Sequence, residues 1–270
     1  MGMFAWLARW LSQPPRPIPR ALWCSTIERY PFLRVLGEQE KARLKTLCEA
    51  FLASKEFSAA GGLVLTDAIC VAIAAQGCLP ILELGLAAYR DWVGIVVYPD
   101  EFIVTRSEMD DAGVVHEYAD VLSGEAWAGG PLLISWHDAA MASADYNVVI
   151  HEFAHKLDML NGEADGIPGL PEGLSRQAWL QDFMPAYSDF CARVDGGETT
   201  RIDPYASEAP EEFFAVSSEC FFGAPDILAA EYPALYRLLV RYYRQDPLAR
   251  QQLASDQTSR TCNAGICAGS

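Results

Sequence analysis

The chain has 270 residues, 51% apolar and 21% charged, with 36 acidic against 20 basic side chains and a formal net charge of −16. That length and composition suit an ordered globular protein able to bury a full core. An acidic excess of this size argues against direct nucleic-acid binding or an anionic membrane surface. The eight cysteines include no C-x-x-C pair, which argues against a zinc ribbon or a thioredoxin-like motif. The default expectation is reduced thiols in a cytoplasmic protein.

The first eleven residues are apolar but short, interrupted by Arg9 and followed by Pro14, Pro15, Pro17 and Pro19. They match neither a signal peptide nor a membrane span, so residues 1–36 are expected to be an N-terminal docking segment, irregular from 12 to 36. From Glu38 the spacing of Leu44, Leu47, Cys48 and Phe51 predicts a helix. Residues 56–65 read as a connection, and Thr66 caps a buried helix from Asp67 to Gln76 that ends at Gly77. Short strands follow. Gly94–Tyr98 and Phe102–Thr105 are expected to pair as a hairpin across Pro99-Asp100. Residues 114–120 give a weaker strand signal, and Leu132–Trp136 is a convincing apolar strand that could offer its edge to an extended substrate. A helix is expected after Asp138 as N-cap, then further helices at 175–194, 208–222 and 234–243. The tail from residue 251 lacks apolar patterning and reads as disordered. The pattern predicts one α+β domain over residues 37–250.

The chemistry concentrates in Val148-Val-Ile-His151-Glu152-Phe-Ala-His155-Lys-Leu-Asp158-Met-Leu160. On a helix, His151 and His155 lie one turn apart on one face, the arrangement two imidazoles need to grip one Zn²⁺. Glu152 points aside, placed to take a proton from water rather than to bind metal. The surrounding apolar residues mark the helix as buried. A catalytic zinc needs a third protein ligand and an open fourth position. The nearby-His motif would place it at position 161, which is Asn. His116 and His137 read as partly exposed bystanders. The better source is Glu211-Glu212-Phe-Phe-Ala-Val-Ser-Ser-Glu219-Cys-Phe-Phe222, a buried helix carrying acids. Buried carboxylates need a partner or a metal. Glu212 and Glu219, seven apart on one face, are one ligand and one supporting acid, in either order.

His151-Glu-Phe-Ala-His155-Lys-Leu-Asp158, with Tyr205 and Glu212-Phe-Phe-Ala downstream and Gly130-Pro-Leu-Leu-Ile-Ser-Trp136 upstream, resembles the MtfA (Mlc titration factor A) family of bacterial zinc peptidases. That family is related to the catalytic domain of anthrax lethal factor. The resemblance implies a gluzincin-like zinc peptidase domain, mostly helical with a small mixed sheet and H-E-x-x-H on a buried helix. It implies one Zn²⁺ per chain held by His151, His155 and Glu212, with Glu152 as general base. Tyr205 would stabilise the transition state and Asp158 would support a ligand. It also implies aminopeptidase-like activity on small peptide substrates and binding of an Mlc-like transcriptional repressor. The competing expectation is a repressor-binding regulator whose zinc site is latent.

Overall fold

The structure, a computed structural model, describes residues 15–109, 115–143 and 146–255. The stretch expected to be irregular is helical from Arg20. Pro19 precedes helix α1 (Arg20–Arg29), and Pro31 opens the single turn α2 (Pro31–Arg34), a position where the missing N–H costs nothing. Prolines read as breakers therefore serve as starters, and Trp23, Ile27, Tyr30, Phe32 and Leu33 lie in the main core. Helix α3 (Glu38–Ser54) begins where the Glu40 carboxylate accepts the Gly37 amide at 2.9 Å, and it buries Leu44, Cys48 and Phe51. Helix α4 (Asp67–Cys78) is capped by the Thr66 hydroxyl and is buried from Val71 to Cys78.

Strand β1 (Glu56–Ala59) occupies the segment expected to be a plain connection; only Phe57 is even half-buried, so no apolar alternation announces it. β1 pairs in parallel with β2 (Gly94–Tyr98). The hairpin expected between Gly94–Tyr98 and Phe102–Thr105 does not form, because both edges of β2 are already taken. Its second neighbour, also parallel, is β6 (Leu132–Ser135). The excluded strand β3 (Phe102–Met109) pairs instead with β4 (Val115–Leu122) in a separate antiparallel ribbon. β5 (Gly124–Ala126) runs antiparallel to β6 and completes a mixed sheet ordered β1-β2-β6-β5. β6 is thus an inner strand, buried at all four positions, and cannot offer an edge to a substrate. Within this sheet the edge on that side is β5.

The rest of the chain is mostly helical. Helix α5 (Trp136–Ala140) starts directly after β6, with the Ser135 hydroxyl accepting the Asp138 amide at 3.3 Å; Ser135 is the cap and Asp138 lies in the first turn. Helix α6 (Val148–Asp158) is capped by Asn147, whose side chain accepts the Ile150 amide at 3.0 Å. Then come α7 (Arg176–Asp195), α8 (Pro210–Gly223), α9 (Pro225–Glu231) and α10 (Pro233–Tyr243). The last three each begin on a proline; the helix expected over 208–222 ends at Gly223, and Pro225 then opens a further short helix that was not expected. Residues 247–255 are helical as well; the rest of the tail lies outside the described residues. No helix among the described residues is long and apolar enough to cross a membrane.

One aromatic cluster holds the motif helix and a second holds α8, which packs against it. Phe153 of α6 sits among Phe51, Tyr89 and Trp92, with ring centroids 5.2–5.7 Å away. Phe213 and Phe214 of α8 pack on Phe183, Phe190 and Trp179 of α7 and on Tyr242 of α10. Truncating one such buried ring to alanine typically costs about 3–5 kcal/mol, enough to fix how α6 and α8 face each other.

Candidate metal centre

His151 and His155 leave α6 one turn apart and meet Glu212 from the first turn of α8. The Nε2 atoms of the two histidines stand 3.1 Å apart, and Glu212 Oε2 is 3.0 Å from His151 Nε2 and 3.4 Å from His155 Nε2. Donors bonded to a tetrahedral Zn²⁺ at ~2.0–2.1 Å stand about 3.3 Å from one another, so the triangle has the right size for one ion. These three residues are the group of potential metal donors found among the described residues.

Glu219 meets the same imidazole from its other side. Its Oε1 lies 2.7 Å from His151 Nδ1, while its second oxygen accepts the amide of Asn147, the cap of α6. A carboxylate only accepts, so His151 donates its Nδ1 proton to Glu219 and, when neutral, turns a lone pair at Nε2 towards the Glu212 carboxylate. Two acceptors 3.0 Å apart repel unless a cation lies between them. A proton or a metal ion meets that demand, and this is the observation by which the donor set fits a metal. Burial works against charge on His151, but its bonds to Glu212 and Glu219 overcome it and raise its pKa well above the ordinary value. Burial likewise opposes charge on Glu212, yet the two imidazoles hold its carboxyl well below the usual range. One face of α8 thus carries two acids of distinct placement, an order that the sequence left open.

The sequence matches the family described as glucose-regulated metallo-peptidase M90 across residues 4–244. The chain belongs to the M90 metallopeptidase family. It is similar to the Mlc titration factor A of Yersinia pestis (strain Pestoides F), 37% identical over 254 residues that cover 92% of each chain. The protein of the same name from Yersinia pseudotuberculosis serotype O:1b (strain IP 31758) shows the same identity and coverage.

The remaining residues singled out in this M90 sequence are placed as follows. Glu152 is buried beside the donors; its Oε2 has no hydrogen-bond partner, and burial raises its pKa against the pull of His151 and His155. Tyr205 rides on a 3-10 turn (Pro204–Ser207) whose first amides are held by Asp203, and its half-exposed ring lies 6.2 Å from that of His151. Burial and the nearby Glu212 and Glu152 carboxylates keep its hydroxyl protonated. Tyr187 of α7 donates to the Ser207 carbonyl at 3.3 Å and fixes this turn from behind. Asp158 touches neither histidine. Its Oδ2 accepts the Gly166 amide at 2.8 Å, its Oδ1 has no partner, and burial pushes its carboxyl up to about 7. It anchors the loop after α6 and acts on His155 only through its charge. His137 is exposed, 3.8 Å from Asp100; the side chain of His116 lies outside the described residues.

Sequence reasoning missed Lys156. Its ammonium donates to the carbonyls of Trp127 at 2.6 Å and Gly130 at 2.9 Å, clamping the turn between β5 and β6, and burial lowers its pKa to about 8. A lysine inside an otherwise buried helix was the available signal: such a charge needs acceptors, here backbone carbonyls.

Proposed function

We propose that this protein is a zinc-dependent peptidase in which His151, His155 and Glu212 hold the ion. The observation that carries this reading is the inward-facing triangle of His151 Nε2, His155 Nε2 and Glu212 Oε2 at 3.0–3.4 Å. Zinc held by three protein ligands acidifies water and polarises a carbonyl. The chain's own residues supply the rest. Glu152 takes the proton of the attacking water and delivers it to the leaving amine; burial has already raised its proton affinity towards the range such a base needs. Tyr205 donates its hydroxyl proton in a hydrogen bond to the developing oxyanion, a contribution of about 3 kcal/mol for one such donor. Glu219 holds His151 in the tautomer that keeps Nε2 free to ligate. The outer strand β5, whose Gly124 lies against Glu152, is where the substrate backbone runs alongside the sheet. The substrates are small peptides, cleaved in aminopeptidase fashion. An Mlc-like repressor is a second partner, a proposal supported by the names of the Yersinia relatives. The peptidase domain works in the cytoplasm, and the segment expected to dock as 1–36 belongs to it from Ile18 on, because Trp23, Ile27, Tyr30 and Leu33 are part of its core.

The test is turnover of a panel of chromogenic amino-acid and peptide substrates by the zinc-loaded wild type beside Glu152→Gln. The expected result is activity that chelation abolishes and that Glu152→Gln lowers by ~10²–10⁴-fold with zinc retained. Undiminished turnover in Glu152→Gln overturns the role of Glu152. Zinc without turnover in either protein favours the latent, repressor-binding alternative.

A further inference from the structure

Two glycines face consecutive residues of the motif helix. In α4, a Cβ added to Gly77 would lie 2.4 Å from two ring carbons of Phe153. In β5, a Cβ added to Gly124 would lie 2.5 Å from Oε1, 2.6 Å from Cγ and 2.8 Å from Cδ of Glu152. Real Cβ atoms essentially never come within 3.0 Å of such neighbours. Gly124 is not among the glycines with positive φ, so its backbone would accept any L-residue. Glycine also weakens a strand. Its presence here answers to what lies opposite, and that is the carboxylate of Glu152.

We propose that Gly124 is a positioning residue for Glu152: the missing side chain lets the carboxylate stand against the sheet edge at the level the reaction needs. This rests on the reading of Glu152 as general base. The strand cannot retreat from an added methyl group, because Gly124 is in register with Ile134 of β6 and the neighbouring Ser123 carbonyl accepts the Ser135 amide at 2.7 Å. Glu152 must move instead. Turning the carboxylate alone brings no relief, since Cγ is among the crowded atoms, so the whole side chain swings within a pocket that leaves it only 5% exposed. It is nevertheless a side-chain end, able to shift without opening the sheet, and the consequence falls on catalytic geometry. Phe153, caged by Phe51, Tyr89 and Trp92, has no such freedom, and Gly77→Ala strikes the stability of the fold.

The experiment compares wild type, Gly124→Ala, Gly77→Ala and Glu152→Gln by zinc content, melting temperature and kcat and KM on a small chromogenic peptide, with a crystal structure of Gly124→Ala. Gly124→Ala is expected to keep its zinc, to show the Glu152 carboxylate displaced by about 1 Å or more, and to lose kcat on the order of 100-fold with KM little changed. Gly77→Ala is expected to show the larger drop in melting temperature. A Glu152 carboxylate in its original place, or a full kcat, overturns the proposal. Should Gly124→Ala fail to fold, the double variant Gly124→Ala/Glu152→Ala decides: restored folding supports the steric contact with Glu152, and continued failure overturns it. Full activity in Glu152→Gln sinks the general-base reading itself, a result distinct from any of these, while the crystal structure still reports whether Gly124 governs the carboxylate's position.

Discussion

Glu212 and Glu219 occupy one face of α8, two turns apart, and both reach His151, yet they meet opposite nitrogens of its ring. Glu212 lies 3.0 Å from Nε2, on the side where His155 also converges, whereas Glu219 lies 2.7 Å from Nδ1 and also takes the amide of Asn147 at the head of α6. Identical side chains at the period of two turns thus receive different tasks from the imidazole between them. The one on the converging side completes a donor triangle. The other fixes tautomer and ring direction and ties the two helices together. Acid on a buried helix signals function; which acid ligates depends on the ring nitrogen that each one faces.

Substitutions break this comparison in order of size. Glu212→Ala removes a donor and should weaken zinc affinity by more than the 10–100-fold typical of a supporting residue, with loss of turnover; metal competition with a chromophoric chelator measures it. Tyr205→Phe lies on the same side of His151 and should lower kcat by ~10²-fold with zinc content unchanged; an unaltered kcat removes the hydroxyl from the mechanism. Glu219→Ala should cost ~10–100-fold in zinc affinity, and Glu219→Gln, which keeps an acceptor for Nδ1, should cost less. If Glu219→Ala empties the site while Glu212→Ala leaves it filled, the two assignments exchange. The mildest effect is that of pH. With its pKa raised by Glu212 and Glu219, His151 must give up a proton to bind metal, so affinity should fall as pH falls, by about tenfold per pH unit for one displaced proton. Isothermal titration in buffers of different ionisation enthalpy counts that proton; a count of zero contradicts the account.

Much of this was legible in the sequence, for reasons that differ between elements. The motif helix declares itself because His151, Glu152 and His155 have a fixed helical spacing within an apolar run. The helices α3, α4 and α7 show strong periods and clear caps at Thr66 and Ser175. Strand pairing was not legible: Gly94–Tyr98 has the local signs of a hairpin arm, but both of its edges are claimed by strands distant in sequence, β1 and β6. Prolines misled in the opposite direction, since Pro31 and Pro225 open helices. Within the site, the sequence offered Glu212 and Glu219 without their order, and only the positions of the ring nitrogens separate them. Asp158 has a motif spacing that suggests a partner for a ligand, yet its bond goes to the Gly166 amide. Gly124 carried no sequence signal, because its role depends on the fold bringing it against Glu152, 28 positions further along the chain.

The central claim is that nitrogen and oxygen donors of α6 and α8, rather than any of the eight cysteines, hold the metal. X-ray absorption at the zinc edge of the protein loaded with one equivalent of Zn²⁺ tests it most directly. The account predicts a first shell of nitrogen and oxygen at ~2.0–2.1 Å, with the multiple-scattering signature of two imidazoles. Sulfur scattering near ~2.3 Å, or a shell without imidazole, would contradict it.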